Sequence, residues 1–181
     1  MDIDDIQEEL TGKPQPPSNV VKSKRLTEKI EYDQYVTCVI NDELFAVDTM
    51  KVKEVLKYIP LTPVPGSKEY VSGLINLRGN VVTVIDTRLL FSLSYKPPCE
   101  ETNIIVIDFN ENEMIGFLVD DVDEVVNVAQ VHIESAPSFS NDDFKSNFVQ
   151  GVTYYKNNLL VMLDFDKILL HITPEDDPEL I

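Results

Sequence analysis

The feature that says most about the architecture of this chain is the stretch Tyr70-Val-Ser-Gly-Leu-Ile-Asn-Leu-Arg-Gly-Asn-Val-Val-Thr-Val-Ile-Asp86. It has the pattern of two apolar strands around a turn at Arg78-Gly79, where glycine is free to take a positive φ. Phe148–Asp164 repeats this pattern without a gap. A second block, Glu43–Leu56, is repeated in the same way over Glu113–Val126, and eight of the 31 aligned positions are identical. We interpret the chain as an internal duplication.

Short runs of β-branched and aromatic residues bounded by turn residues predict strands throughout residues 32–172. These runs cover 35–40, 44–48, 72–77, 80–86, 103–109, 114–119, 124–128, 147–155 and 158–164, and brief helices are predicted at 87–92 and 165–171. Small sheets of about five strands close into barrels because closure removes exposed edges. The predicted fold class is all-β, with two five-stranded β-barrels that are packed together, related by the internal duplication, and accompanied by short helical turns.

The domain boundaries are predicted from where the apolar pattern stops. Residues 1–31 have no sustained apolar pattern and predict a flexible N-terminal tail, although Ile3, Ile6 and Leu10 lie at helical spacing and leave a short partner-docking helix open. Residues 173–181 predict an acidic C-terminal tail. Between them, 32–172 form the predicted domain, with a first barrel unit at roughly 33–100 and a second at roughly 102–172. Exchange of strands between the two units remains possible at this point.

The charge of the chain excludes several classes of partner. Its 32 acidic and 15 basic residues give a net charge of −17. Nucleic acids and anionic membranes are therefore not expected as partners, because both require clustered lysine and arginine. No apolar run reaches the roughly 18 residues of a membrane span, so no direct membrane insertion is expected. The acidic N-terminus is unlike a signal peptide, and only two cysteines are present, so we expect a cytoplasmic protein.

The sequence does not assemble a recognisable catalytic, metal or cofactor site. His132 and His171 have no further ligand at zinc spacing, and the phosphate-binding glycine motifs are absent. The acidic run that contains Asp120, Asp121 and Glu124 is compatible with a hydrolase, but a solvated acidic rim is the favoured interpretation. We therefore predict no enzyme, no cofactor and no metal.

Two kinds of residue in the repeated stretch carry more specific predictions. Asp86 and its repeat counterpart Asp164 each close a strand and open a helical turn, which predicts two helix N-caps. Arg78 is a cation at a predicted hairpin tip in an acidic protein. Considered alone, it is equally suited to a local ion pair and to a partner contact, since arginine is enriched at interface hot spots.

Residues Gly73–Arg88, with the core Asn-Leu-Arg-Gly at 76–79, resemble the signature of the CheW family, the coupling proteins of bacterial chemotaxis. Val52–Leu56, Pro63–Pro65, Gly116–Asp120 and the block around Gly151 follow in family order. The resemblance covers roughly residues 33–172 and departs from the family pattern at Thr83 and Thr87. Neither departure should disturb the fold, because threonine suits a strand.

The resemblance implies two intertwined SH3-like barrels and no catalysis. It implies an adaptor that couples methyl-accepting chemoreceptors, at their cytoplasmic tip, to the regulatory domain of a CheA-type histidine kinase within a membrane-associated signalling array. The alternative is a CheW-like scaffold of another two-component pathway, such as surface motility. By position, the resemblance assigns the partner contacts to Val52, Glu54, Gly73, Asn76, Leu77, Arg78 and Gly79.

Overall fold

The computed structural model describes residues 29–111, 113–135 and 147–173, and most of the two predicted tails lies outside these ranges. Within the described ranges the chain forms eleven strands and two α-helices, and a 3₁₀ turn spans Gln130–His132. The strands are β1 (Tyr32–Ile40), β2 (Glu43–Asp48), β3 (Val52–Lys57), β4 (Val71–Leu77), β5 (Asn80–Asp86), β6 (Asn103–Asp108), β7 (Met114–Val119), β8 (Asp121–Ala129), β9 (Glu134–Ser135), β10 (Val149–Tyr155) and β11 (Asn158–Leu163). The helices are α1 (Thr87–Leu90) and α2 (Phe165–Ile172).

The strands form two sheets, each of which takes strands from both sequence repeats. The six-stranded sheet has the order β8-β1-β2-β11-β10-β9, and the five-stranded sheet has the order β3-β6-β7-β5-β4. When each strand is replaced by its counterpart in the other repeat, the order β8-β1-β2-β11-β10 becomes β3-β6-β7-β5-β4. The duplication is therefore a symmetry of the fold. Strands are exchanged through two parallel pairings, β2 with β11 and β5 with β7.

Three hydrophobic clusters hold the sheets together. One lies entirely on the six-stranded sheet and includes Tyr35 and Met162, and another lies on the five-stranded sheet and includes Val84 and Val106. The largest cluster takes side chains from both sheets and both helices: Phe45, Phe91, Phe117, Phe148 and Phe165, with their aliphatic neighbours. Since each sheet has its own core and a third core joins them, the two units pack as one body through buried aromatic surface.

The strand β6 shows why the sequence there is apolar at consecutive positions. Ile104 and Val106 belong to the cluster of the five-stranded sheet, whereas Ile105 and Ile107 belong to the shared cluster, and all four are completely buried. Successive side chains of a strand point to opposite faces. A strand that is covered on both faces therefore requires a continuous apolar run instead of an alternating one.

The all-β prediction is confirmed, with corrections to its strand count. The five-stranded sheet has the predicted number, but β9 adds a sixth strand to the other sheet. In the equivalent place of the first repeat, Thr62 makes only an isolated bridge to Leu74. The N-cap predictions are also confirmed: Asp86 accepts a hydrogen bond from Leu89 N, and Asp164 accepts one from Lys167 N, both at 3.1 Å.

The strand β3 was not predicted, and the reason is visible in its burial. Half-buried and exposed positions alternate along this strand. Glu54 occupies a half-buried position, and the apolar Val55 occupies an exposed one. A register shift between Val52 and Glu54 accompanies this arrangement. The charge on the inner face and the apolar residue on the outer face hide the period-two pattern that predicts a strand.

Candidate partner-contact site

The turn between β4 and β5 projects Arg78 from the five-stranded sheet. Leu77 pairs with Asn80, so that Arg78 and Gly79 form a two-residue loop with φ values of 52° and 90°. Positive φ at both loop positions is what a type I′ hairpin turn requires. Asn76 Oδ1 accepts a hydrogen bond of 2.8 Å from Gly79 N and fixes the loop. The sequence Asn-Leu-Arg-Gly thus builds a rigid tip that leaves the arginine side chain 77% exposed.

Arg78 does not extend freely into solvent. Its Nη2 donates a hydrogen bond of 2.8 Å to Glu54 Oε1, and the Glu54 side chain is 24% exposed. Glu54 lies on β3 and Arg78 follows β4, and these are the two edge strands of the five-stranded sheet. The ion pair therefore joins opposite edges of one sheet and marks where this sheet curls towards closure. Of the two roles that the sequence left open for Arg78, the local ion pair is observed.

The other predicted contact residues divide into exposed and structural positions. Asn76 and Gly79 are exposed beside Arg78, whereas Val52 and Leu77 are half-buried and pack against core clusters. Gly73 is buried at φ 149°, and a Cβ built there would lie 2.6 Å from the carbonyl oxygen of Thr62. The backbone at Thr62 lies too close for any side chain at position 73, so glycine is required there for packing of β4. The assignment of all seven to a partner interface stays a prediction.

An equivalent ion pair lies on the six-stranded sheet. Lys156 and Asn157 form the loop between β10 and β11, again with positive φ at both positions, and Lys156 Nζ donates to Glu124 Oε1. The hydrogen bond from Lys156 lowers the pKa of Glu124. The second turn has Lys-Asn in place of Arg-Gly. The structure shows that the pairing persisted, and the identity of Glu54 with Glu124 in the repeat alignment was the available signal.

The exposed apolar side chains also repeat. Val55 is 39% exposed and its counterpart Val125 is 57% exposed, and Val81 and its counterpart Leu159 are 65% and 47% exposed. Each sheet thus presents a cation at a hairpin tip, a glutamate on an edge strand and nearby apolar positions. The two halves carry the same kind of surface because they carry the same local sequence.

The acidic run 120–124 is not a uniform solvated rim, which corrects the favoured interpretation. Asp120 receives two hydrogen bonds of 2.7 Å from Arg88 and one of 2.7 Å from Asn41 N, and the side chains of Asp120 and Arg88 are only 14% and 12% exposed. Burial would raise the pKa of Asp120, but the hydrogen bonds from Arg88 and Asn41 outweigh it and leave the pKa lowered. This bidentate pair joins α1 to the end of β7.

The three acids of the hydrolase alternative are held apart by different partners. Asp120 is bound to Arg88, Glu124 to Lys156, and Asp121 Oδ1 accepts from Val122 N and Asn103 Nδ2. Two carboxylates at low pKa, each with its own cation, are poor general acids at neutral pH. In residues 29–111, 113–135 and 147–173, no three histidine, cysteine or acidic side chains are grouped so that they could hold a metal ion.

The match to a protein family settles what kind of protein this is. Residues 34–173 match the family model described as the CheW-like domain. The chain belongs to the CheW-like family. The match agrees with the resemblance to the CheW family that residues Gly73–Arg88 predicted from the sequence.

Proteins named chemotaxis protein CheW resemble this chain over about three quarters of its length. The chemotaxis protein CheW of Bacillus subtilis (strain 168) is 33% identical over 137 residues, which cover 76% of this chain and 86% of that protein. The chemotaxis protein CheW of Helicobacter pylori is 31% identical over 136 residues, with 75% and 81% covered. The crystal structure of the scaffolding protein TtCheW from Thermoanaerobacter tengcongensis matches with a TM-score of 0.66 at 27% identity, covering 74% of this chain and 89% of that one.

Neither described helix is long and apolar enough to span a membrane.

Proposed function

We propose that this chain acts without catalysis as the coupling element between methyl-accepting chemoreceptors and a CheA-type histidine kinase in a cytoplasmic signalling array. The observation that carries the proposal is the rigid Asn76–Gly79 hairpin, which holds Arg78 against Glu54 at an exposed edge of the five-stranded sheet. Family membership and the names of the similar proteins support the chemotaxis context.

The hairpin is suited to recognition because little of it has to be ordered on binding. The turn is fixed by the hydrogen bond from Gly79 N to Asn76, and the arginine side chain is already held by a carboxylate. Preorganised groups lose less conformational entropy when a partner binds. Arg78 retains donors beyond the one that Glu54 uses, and these can meet an acceptor on the partner.

An adaptor can pass a signal only if it binds two states of its partners with different affinity. A surface built on a pair of charges meets this requirement, because a small shift of the partner changes whether Arg78 keeps its bond to Glu54. The proposed mechanism is therefore that the adaptor holds receptor and kinase together and favours one arrangement of the kinase. The second candidate function is the same scaffold in another two-component pathway, with different partners at the same contacts.

The test is a set of charge reversals, measured by titration calorimetry against a kinase regulatory domain and a receptor cytoplasmic fragment. Arg78→Glu should weaken binding of at least one partner. A desolvated interfacial charge is worth about 2–5 kcal/mol, so the lower end corresponds to about a 30-fold loss of affinity. Melting curves should barely change, because the side chain is exposed in the free protein.

The chain supplies a matched control in its second repeat. Lys156→Glu reverses the equivalent charge on the six-stranded sheet, where a hairpin cation also pairs with a glutamate of an edge strand. If Arg78 contacts a partner, Lys156→Glu should leave that affinity unchanged. If the double variant Arg78→Glu with Glu54→Arg restores binding, the pair itself is what the partner requires. Unchanged binding of both partners by Arg78→Glu would contradict the contact assignment.

A further inference from the structure

The two edge strands that carry the glutamates of the hairpin ion pairs differ in charge. The β3 strip, as we call the exposed positions of β3 on either side of Glu54, consists of Lys53, Val55 and Lys57. The β8 strip, at the aligned positions of the second repeat, consists of Asp123, Val125 and Asn127. The central valine is common to both strips. The lysines on either side of it in the first repeat are replaced by an aspartate and an amide in the second.

The features around the two strips repeat. Each strip flanks a glutamate that accepts a hydrogen bond from a hairpin cation, which is Arg78 in one half and Lys156 in the other. Each also includes a register shift, where the edge strand has one residue more than the strand beside it. Such an insertion bends an edge strand. A partner that recognised only these shared features would therefore bind both halves of the chain.

The lysines of the β3 strip are available to a partner. Lys53 Nζ donates to Asp108 at 3.2 Å, but the two side chains are 56% and 52% exposed, so this pair contributes little and is easily exchanged. Among the residues that the structure describes, neither Lys57 nor Asp123 takes part in an ion pair. The β3 strip thus adds exposed positive charge beside Arg78 in a chain of net charge −17, and the β8 strip does not.

We infer that the β3 strip directs an acidic partner surface to the Arg78 hairpin, and that the β8 strip keeps the same partner off the equivalent hairpin of the six-stranded sheet. Opposite charges across an interface favour the correct contact, and like charges oppose the wrong one. The strips therefore discriminate between two surfaces that are otherwise built alike. The inference rests on the proposed function, because it names the chemistry of the partner at the same contact.

The test exchanges the charges of the strips in the full-length chain and measures affinity by titration calorimetry. The partner is whichever of a kinase regulatory domain and a receptor cytoplasmic fragment loses affinity on Arg78→Glu. Lys53→Asp with Lys57→Asn gives β3 the charges of β8 and lowers the net charge by three units. We expect about a tenfold loss of affinity at about 50 mM salt and a smaller loss at about 500 mM, because salt screens exposed charges.

A matched control makes the same change of net charge elsewhere on the surface. Lys29→Asp with Lys68→Asn also lowers the net charge by three units, at two exposed positions. Lys29 precedes β1, and Lys68 precedes β4 at the end of that strand opposite to its hairpin. The control should leave the affinity unchanged. Melting curves should barely move for either double variant, because all four side chains are exposed.

The opposite exchange tests the discrimination between the two halves. Asp123→Lys with Asn127→Lys gives β8 the charges of β3. Introduced into the Arg78→Glu variant, this exchange should raise the affinity by roughly threefold or more, because the partner can now use the second hairpin. Further addition of Lys156→Glu should remove the recovered affinity.

The outcomes separate this inference from the proposed function. If Arg78→Glu weakens neither partner, the proposed contact and the inference fail together. If Arg78→Glu weakens binding but the exchange on β3 does not, or weakens it equally at both salt concentrations or no more than the control, only the inference fails. An exchange on β8 that recovers no affinity would also overturn it.

Discussion

Removal of the Arg88 guanidinium should destabilise this protein far more than removal of any exposed cation. Arg88→Met keeps much of the aliphatic volume but leaves the largely buried Asp120 with only the hydrogen bond from Asn41 N. Loss of one partner of a buried ion pair costs about 3–5 kcal/mol, because the remaining charge is uncompensated. Since both side chains retain some exposure, we expect a loss of about 3 kcal/mol in the free energy of unfolding.

The structure offers a control with the charges exchanged. Asp166 occupies the repeat position of Arg88, and it pairs at 2.7 Å with Lys51, with side-chain exposures of 69% and 42%. Exposed pairs contribute about 0–1 kcal/mol. Lys51→Met should therefore be nearly neutral, although it also removes a cation that pairs with a carboxylate.

The assay is unfolding in urea, monitored by circular dichroism. With a slope of about 2 kcal/mol per molar urea, Arg88→Met should lower the midpoint by about 1.5 M, and Lys51→Met by less than about 0.5 M. The double variant Arg88→Met with Asp120→Leu should recover part of the loss, because no buried charge then remains unpaired. We therefore expect the double variant to lose less free energy of unfolding than Arg88→Met alone.

The pH dependence of the free energy of unfolding tests the same ion pair independently. The pKa of Asp120 is lowered in the folded state, so its pair contributes stability above the unfolded pKa of about 3.9 and loses it as pH falls through the folded pKa. The advantage of the wild-type protein over Arg88→Met should accordingly shrink below about pH 4. Equal midpoint shifts for Arg88→Met and Lys51→Met, or a difference independent of pH, would refute the reasoning.

Three further predictions concern single positions. Gly73→Ala should lower the free energy of unfolding by about 2–4 kcal/mol, because its Cβ would press against a backbone carbonyl. Gly79→Ala should lower it by only about 1 kcal/mol, because this position has a positive φ but lies in open space. Equal midpoint shifts of the two variants in urea would contradict this. Asp86→Ala should lose about 1 kcal/mol with the N-cap and Asp86→Asn much less, since burial raises the pKa of Asp86 and the amide keeps a capping oxygen; melting curves decide. Burial raises the pKa of Cys38 to about 12. A thiol reagent at pH 8 should therefore modify only the exposed Cys99 in the folded protein, and both cysteines in urea. Modification of both cysteines without urea would refute this prediction.

The sequence alone determined the elements whose causes are local. A strand that ends in aspartate before an apolar turn predicted both N-caps, because the capping carboxylate and the backbone N–H groups that it accepts from lie within three residues. The two ungapped repeats predicted that the fold is duplicated, and the hairpin at Arg78-Gly79 followed from residues that tolerate positive φ. The family signature was also local, so the family and the all-β class could be read from the chain.

Only the tertiary structure decided the contacts between residues that are far apart in sequence. Strand periodicity states that a segment is a strand but not which strand lies beside it, so the parallel pairings of β2 with β11 and β5 with β7 required the fold. The same holds for Arg88 with Asp120, where burial and charge pairing exist only after the sheets have curled and packed. For Arg78 the sequence left a local ion pair open, and only the fold decided that it forms with Glu54. Glu54 also hid the pattern of its own strand, because the arginine that pairs with this half-buried glutamate lies in a different strand-turn-strand unit of the sequence.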